Sequence, residues 1–243
     1  SSIPEKARYG EVSKMTLSFL LRYKLSSLPI SPDYLIKELG CSIRTYSFHA
    51  KKVGCSVQDI CDAFGSIDGF SVYSEITGKY KITYNDLISS PDRIRFTIMH
   101  EIAHIYLNHF IDFSQTQLRR GGLNEEDLTV LDQEANNFVP KVLAPEIVLL
   151  HIGWKSPKTI HTRCALSIEA SKYRAQKIIE MEIKRNYITS LELKVLRQFN
   201  NFIHRKTCTN CKHYFIIPNA KYCPMCGSAS INWGERSEEH TSE

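Results

Sequence analysis

Residues 90–110 read SPDRIRFTIMHEIAHIYLNHF, and the rest of the chain is read from this stretch. Ser90 fits a helix cap. Pro91 fits the first helical position, where a missing N–H is no loss, and Asp92 lies near the positive end of the helix dipole. Ile94, Ile98, Met99, Ile102, Ile105 and Tyr106 then recur at close to helical spacing. Within the helix stands His100-Glu101-Ile102-Ala103-His104, an HExxH pattern. Positions i and i+4 share a helix face, so His100 and His104 project side by side and can hold one zinc ion. Glu101 is placed to take a proton from a water on that metal. A histidine on a helix is more often a surface or core residue than a ligand, but the cap, the apolar flanks and the motif together favour a metal site.

A catalytic zinc needs a third protein ligand. The next predicted helix, 127–143, carries Leu128, Leu131, Ala135, Phe138, Val139 and Val142 on one face, and Pro140 predicts a kink in it. Asp132 and Glu134 flank this stripe on opposite sides, so only one of them faces the metal. Asn136 lies four residues after Asp132 on the same face, where it can orient a ligand histidine. That pairing favours Asp132 and leaves Glu134 as the alternative.

Outward from these helices the chain reads as α+β. Residues 11–25 predict an amphipathic helix and 31–40 a second short one closed by Gly40. Cys41 to Phe48 alternates as a strand does, and 56–64 suggests a short helix. Gly69–Glu75 and Lys79–Tyr84 predict two strands joined around Thr77-Gly78. A small mixed sheet thus precedes and packs on the HExxH helix, and a peptide is expected to add beside the strand at Lys79–Tyr84. Residues 111–126 are polar with a glycine pair and read as a loop bordering the site. For an oxyanion donor Tyr84, Tyr106 and Arg120 are the nearby polar side chains, with nothing to choose among them. Another short helix begins at Pro145. Residues 156–185 suggest two helices with a break near Cys164–Ser167, in the manner of a helix-turn-helix, and 189–203 one helix more.

Four of the eight cysteines form two CxxC pairs, Cys208/Cys211 and Cys223/Cys226, with 11 residues between them. Four thiolates in two knuckles suit a tetrahedral structural zinc in a ribbon. A closed four-sulfur site leaves no open position for catalysis. The other four cysteines form no disulfide framework, and a reducing cytoplasm is the expected location. No apolar run is long enough for a membrane span, and SSIPEKARYGEVSK, which begins without Met, has no signal core. Residues 141–206 carry 13 Lys/Arg against 5 Asp/Glu, a charge that suits DNA or an acidic partner and equally the solvated face of helices. The expected organisation is a catalytic domain over 1–152, a helical segment resembling a helix-turn-helix over 153–204, a four-cysteine ribbon over 205–234 and a disordered tail over 235–243.

The stretch Arg93-Ile94-Arg95-Phe96-Thr97 leading into the HExxH motif, followed by Glu134-Ala135-Asn136-Asn137-Phe138-Val139 and Leu143-Ala144-Pro145, resembles the ImmA/IrrE metallopeptidase family over about residues 10–185. The family's ligand glutamate, four residues before the asparagine, is Asp132 here, and Val139-Pro140 replaces a small pair. The resemblance implies a gluzincin-like zinc endopeptidase with His100, His104 and Asp132 as ligands and Glu101 as base. It further implies a DNA-binding repressor as substrate, and release of mobile-element or stress-response genes. The rival reading is a regulator without catalysis that binds DNA or protein through the basic helices and the ribbon.

Overall fold

The computed structural model describes residues 2–113, 117–118, 125–184, 187–215, 217, 220–229 and 231–233, with only the backbone of 117–118, 125–129, 214 and 232–233. The chain divides into two compact units, one formed by residues 1–19 and 31–142, the other by residues 20–30 and 143–243. The fold is α+β.

The first unit opens with α1 (Tyr9–Arg22), of which it holds the residues up to Phe19, and α2 (Pro32–Glu38). Strand β1 (Ser42–Thr45) follows and passes straight into α3 (Tyr46–Val53). The alternating stretch 41–48 is therefore only half strand, because the Thr45 side chain accepts from Phe48 N–H and starts a helix. Helix α4 (Val57–Phe64) has a capping box from Ser56 and Asp59. The hairpin forms as expected from β2 (Gly69–Ser74) and β3 (Lys79–Tyr84), turning through Gly78 at φ 62°.

After the hairpin come α5 (Pro91–Tyr106) and the short α6 (His109–Asp112). Strand β4 (Gln117–Leu118) and α7 (Glu125–Leu143) complete the unit. Most of the loop expected over 111–126, Arg120 included, lies outside the described residues, as does the tail. Pro140 does not end α7. It stands in the last turn, where it removes one backbone bond, and the helix runs on to Leu143.

The sheet order is β1-β3-β2-β4, with β1 parallel to β3 and the remaining pairs antiparallel. This overturns the expectation that a peptide adds beside Lys79–Tyr84. Strand β3 has β2 along its whole length on one side and β1 along Lys81–Tyr84 on the other, so both of its edges are already taken.

Helix α5 packs on the sheet at Gly69. A Cβ there would stand 2.7 Å from Thr97 Cγ2 and 2.9 Å from the Thr83 carbonyl, so only glycine permits this approach of strand to helix. At its start Ser90 accepts from Arg93 N–H, and the Arg93 guanidinium grips Asp68 with two bonds of 2.7 and 3.0 Å. Phe19 of α1, Tyr106 of α5 and Phe138 of α7 meet ring to ring at 4.7–5.7 Å, fixing the three helices against one another. Ile82, Met99, Ile102, Leu131 and Ala135 are fully buried in the same unit.

The second unit contains α8 (Glu146–Ile152), α9 (Pro157–Cys164) and α10 (Ile168–Lys184), followed by α11 (Ser190–Gln198) and α12 (Asn200–Ile203). Helices α9 and α10 are joined by a tight turn through Ala165, a non-glycine residue at φ 53°. Buried Arg174 of α10 donates twice to the Ala144 carbonyl, at 3.0 and 2.7 Å, and pairs with Glu146. Strands β5 (Lys206–Cys208), β6 (Tyr214–Phe215) and β7 (Ile231–Trp233) form a small sheet in the order β6-β5-β7. Among the described residues no helix is long and apolar enough to cross a membrane.

Candidate metal centre

His100 and His104 lie one turn apart on α5, and Asp132 reaches them from α7. Their Nε2 atoms are 3.0 Å apart, and Asp132 Oδ1 is 3.2 Å from one and 3.3 Å from the other. Ligands of a tetrahedral zinc at bond lengths of about 2.0–2.1 Å stand about 3.3–3.4 Å from each other. The triangle therefore has the size that one such ion requires.

The protons support the same conclusion. His100 Nδ1 faces Asn136 Oδ1 at 3.1 Å, an acceptor, so this nitrogen carries the hydrogen and Nε2 presents a lone pair. His104 Nδ1 faces His109 Nδ1 at 2.8 Å, and His109 Nε2 faces the Glu134 carboxylate at 3.1 Å. A carboxylate only accepts, so His109 donates from Nε2 and accepts at Nδ1. His104 must then donate from Nδ1, which leaves its Nε2 bare. Two imidazole nitrogens and a carboxylate oxygen thus converge on one point, with both Nδ1–H groups turned to other acceptors, an arrangement that suits a cation.

Burial lowers the His104 pKa to about 3, the bond to Asp132 opposing it only in part. His100 is also penalised by burial, but Asp132 and Glu101 outweigh that and raise it. Asp132, despite partial desolvation, is held well below the usual carboxylate range by the two imidazoles.

Glu134, the alternative ligand from the sequence, is elsewhere. It is fully buried on the opposite flank of α7, as expected from helical geometry, and its carboxylate is taken by Arg8 and His109. Glu101, 6% exposed, accepts a short bond from the Ser71 hydroxyl on β2, and its pKa is raised chiefly by desolvation. A cleft of about 720 Å³ opens over these groups. Ser66–Phe70 line one part of it, and Phe96, Thr97, His100, Glu101, His104, Asp132 and Asn136 line another. Tyr106 lies in the aromatic cluster with Phe19 and Phe138.

Sequence reading missed three residues here. Ser71 carries no motif. Arg8 is 126 positions from its partner Glu134. His109 carries no motif either, yet Asn108, at φ 62°, reverses the chain after α5 and returns His109 to His104. An asparagine ending the helix just before a histidine was the one available signal.

An HExxH helix facing an acidic residue on a second helix, over a cleft, offers a group of ligands that could hold a metal ion, as in a metallopeptidase-like protein. The family model described as the IrrE N-terminal-like domain, Peptidase M78, matches residues 50–176, just over half of the chain, and the chain belongs to this family. A search of the curated proteins found no match.

The four ribbon cysteines also converge. Cys208 and Cys226 Sγ are 3.6 Å apart, as are Cys211 and Cys223 Sγ, and all four sulfurs lie within 4.8 Å of one another. Sulfurs around a tetrahedral zinc stand about 3.8 Å apart. Cys208, Phe215 and Cys223 form the small core, with Ala220 and Ile231 against it.

Proposed function

We propose that the chain is a zinc endopeptidase, a reading carried by the convergence of His100 Nε2, His104 Nε2 and Asp132 Oδ1 at 3.0–3.3 Å. A zinc ion held by these three residues supplies a Lewis acid and a water of lowered pKa. The residues of the chain do the rest. Glu101 is the general base: burial raises its pKa above the usual carboxylate range, which makes it a better proton acceptor. The Ser71 hydroxyl donates to Glu101 Oε2, which fixes the carboxylate plane and leaves Oε1 to take the proton and pass it to the departing amine. Asn136 holds His100 through Nδ1. An extended peptide fits along Gly69 and Phe70, which line the cleft and lie on β2 outside its pairing with β4 at Ser71 and Val72.

The substrate in this reading is a protein in the cytoplasm, a DNA-binding repressor, as the family resemblance suggests. The ribbon holds a second, structural zinc through Cys208, Cys211, Cys223 and Cys226, and the basic stretch 141–206 recruits the substrate or its DNA. The test is cleavage of peptide libraries by the zinc-loaded chain and by Glu101→Gln. The variant should keep its zinc and lose activity by 10²-fold or more. Undiminished cleavage by Glu101→Gln would refute the assigned base, and hydrolysis by neither protein across broad libraries would favour a binding role.

A further inference from the structure

Behind the metal site, on the side away from the cleft, lies a line of buried polar groups for which the proposed chemistry has no direct use. His104 Nδ1 is 2.8 Å from His109 Nδ1, and His109 Nε2 is 3.1 Å from Glu134 Oε2. Glu134 Oε2 also accepts from Arg8 Nη2 at 2.8 Å, while Oε1 accepts from Arg8 Nε at 2.9 Å and from the Arg8 backbone N–H at 2.7 Å. His109 and Glu134 are fully buried, and the Arg8 guanidinium lies over the Phe113 ring at 5.6 Å.

We infer that Arg8, Glu134 and His109 form a chain of positioning residues that fixes the tautomer and the aim of His104 at the metal site. The inference rests on the zinc reading above. Burying a carboxylate and an imidazole inside a core is costly unless every polar atom is satisfied. Here each is, and in one direction only. Arg8 can only donate, so Glu134 is held as an acceptor. Glu134 as acceptor forces the His109 hydrogen onto Nε2. That leaves His109 Nδ1 to accept from His104 Nδ1–H and frees His104 Nε2 for the metal. The order comes from three separate places in the chain: the segment before α1, the turn after α5 and the flank of α7 away from Asp132. Arg8 lies outside the residues matched by the family model, so the N-terminal segment is drawn into the site by this chain of bonds.

The test is zinc affinity at the histidine site of the full-length chain, measured by chelator competition. The four-sulfur ribbon serves as an internal reference, and cobalt(II) spectra distinguish the two sites. His109→Phe keeps the shape and removes both hydrogen bonds. It should bind 10- to 100-fold more weakly at the histidine site, with the ribbon affinity and the circular dichroism of the metal-free chain unchanged. His109→Asn keeps an acceptor for His104 Nδ1 and should recover part of the loss. Arg8→Met should shift affinity in the same direction by a smaller factor. A folded His109→Phe that binds zinc within threefold of the parent overturns the inference. Should His109→Phe fail to fold, Glu134→Gln, which exchanges one oxygen for an NH₂ group, decides by the same criterion. A parent chain that binds no metal through His100, His104 and Asp132 refutes the zinc reading itself, an outcome distinct from a parent that binds and a variant that binds equally well.

Discussion

Asp132→Ala removes the one of the three proposed ligands that does not come from the HExxH helix. In the structure its Oδ1 stands 3.2 and 3.3 Å from the two Nε2 atoms, at the spacing of a shared zinc, while its side chain is 47% exposed. A carboxylate serving only as an ion-pair partner of the two histidines would be dispensable for zinc binding. A ligand would not be. Structural zinc sites with four protein ligands bind with about 10–16 kcal/mol, or about 2.5–4 kcal/mol per ligand if shared equally. At about 1.4 kcal/mol per factor of ten, losing one ligand should weaken zinc at the histidine site by about 10²- to 10³-fold. Chelator competition on parent and variant measures this directly, with the ribbon site as control. Binding within threefold of the parent would show that Asp132 pairs with the histidines and does not hold metal.

Gly69→Ala should lower stability by about 1–3 kcal/mol, because the new methyl meets Thr97 Cγ2 and the Thr83 carbonyl, and the latter is backbone that cannot swing aside; urea denaturation reads the difference, and an unchanged midpoint would mean that strand and helix are less closely packed. In the metal-free chain, burial holds His104 at about 3, while the unfolded imidazole titrates near 6.5. Below pH 6.5 the unfolded chain therefore takes up a proton that the folded chain refuses, and His104 makes stability fall as pH drops. From pH 7.5 to 5.5 this group contributes a loss of about 1.4 kcal/mol, measured as the difference in pH dependence between the parent and His104→Gln.

The features legible in the sequence were the local ones. Helix α5 could be read because its cap, its proline and its histidines lie within one stretch, and the hairpin could be read because β2 and β3 are joined by a short turn. The two CxxC knuckles could be read for the same reason. Residues 41–48 were misread because alternation continues past Thr45 while the Thr45 side chain is already capping α3. The place of β3 in the middle of the sheet was not legible. It depends on a parallel pairing with β1, some forty residues earlier, and no local pattern encodes such a partner. Helical geometry separated Asp132 from Glu134 correctly, but what Glu134 does depends on Arg8, far away in the chain. His109 looked unremarkable because its role comes from a reversal at Asn108, a positive-φ residue that periodicity does not register. A buried polar chain assembled from three distant segments leaves no spacing to recognise.

The most direct measurement is zinc per chain, for the parent and for His100→Ala. We expect two zinc ions in the parent and one in the variant, the ribbon cysteines keeping theirs. One zinc in both proteins would mean that only the four cysteines bind metal, and would contradict a metallopeptidase centre at His100, His104 and Asp132.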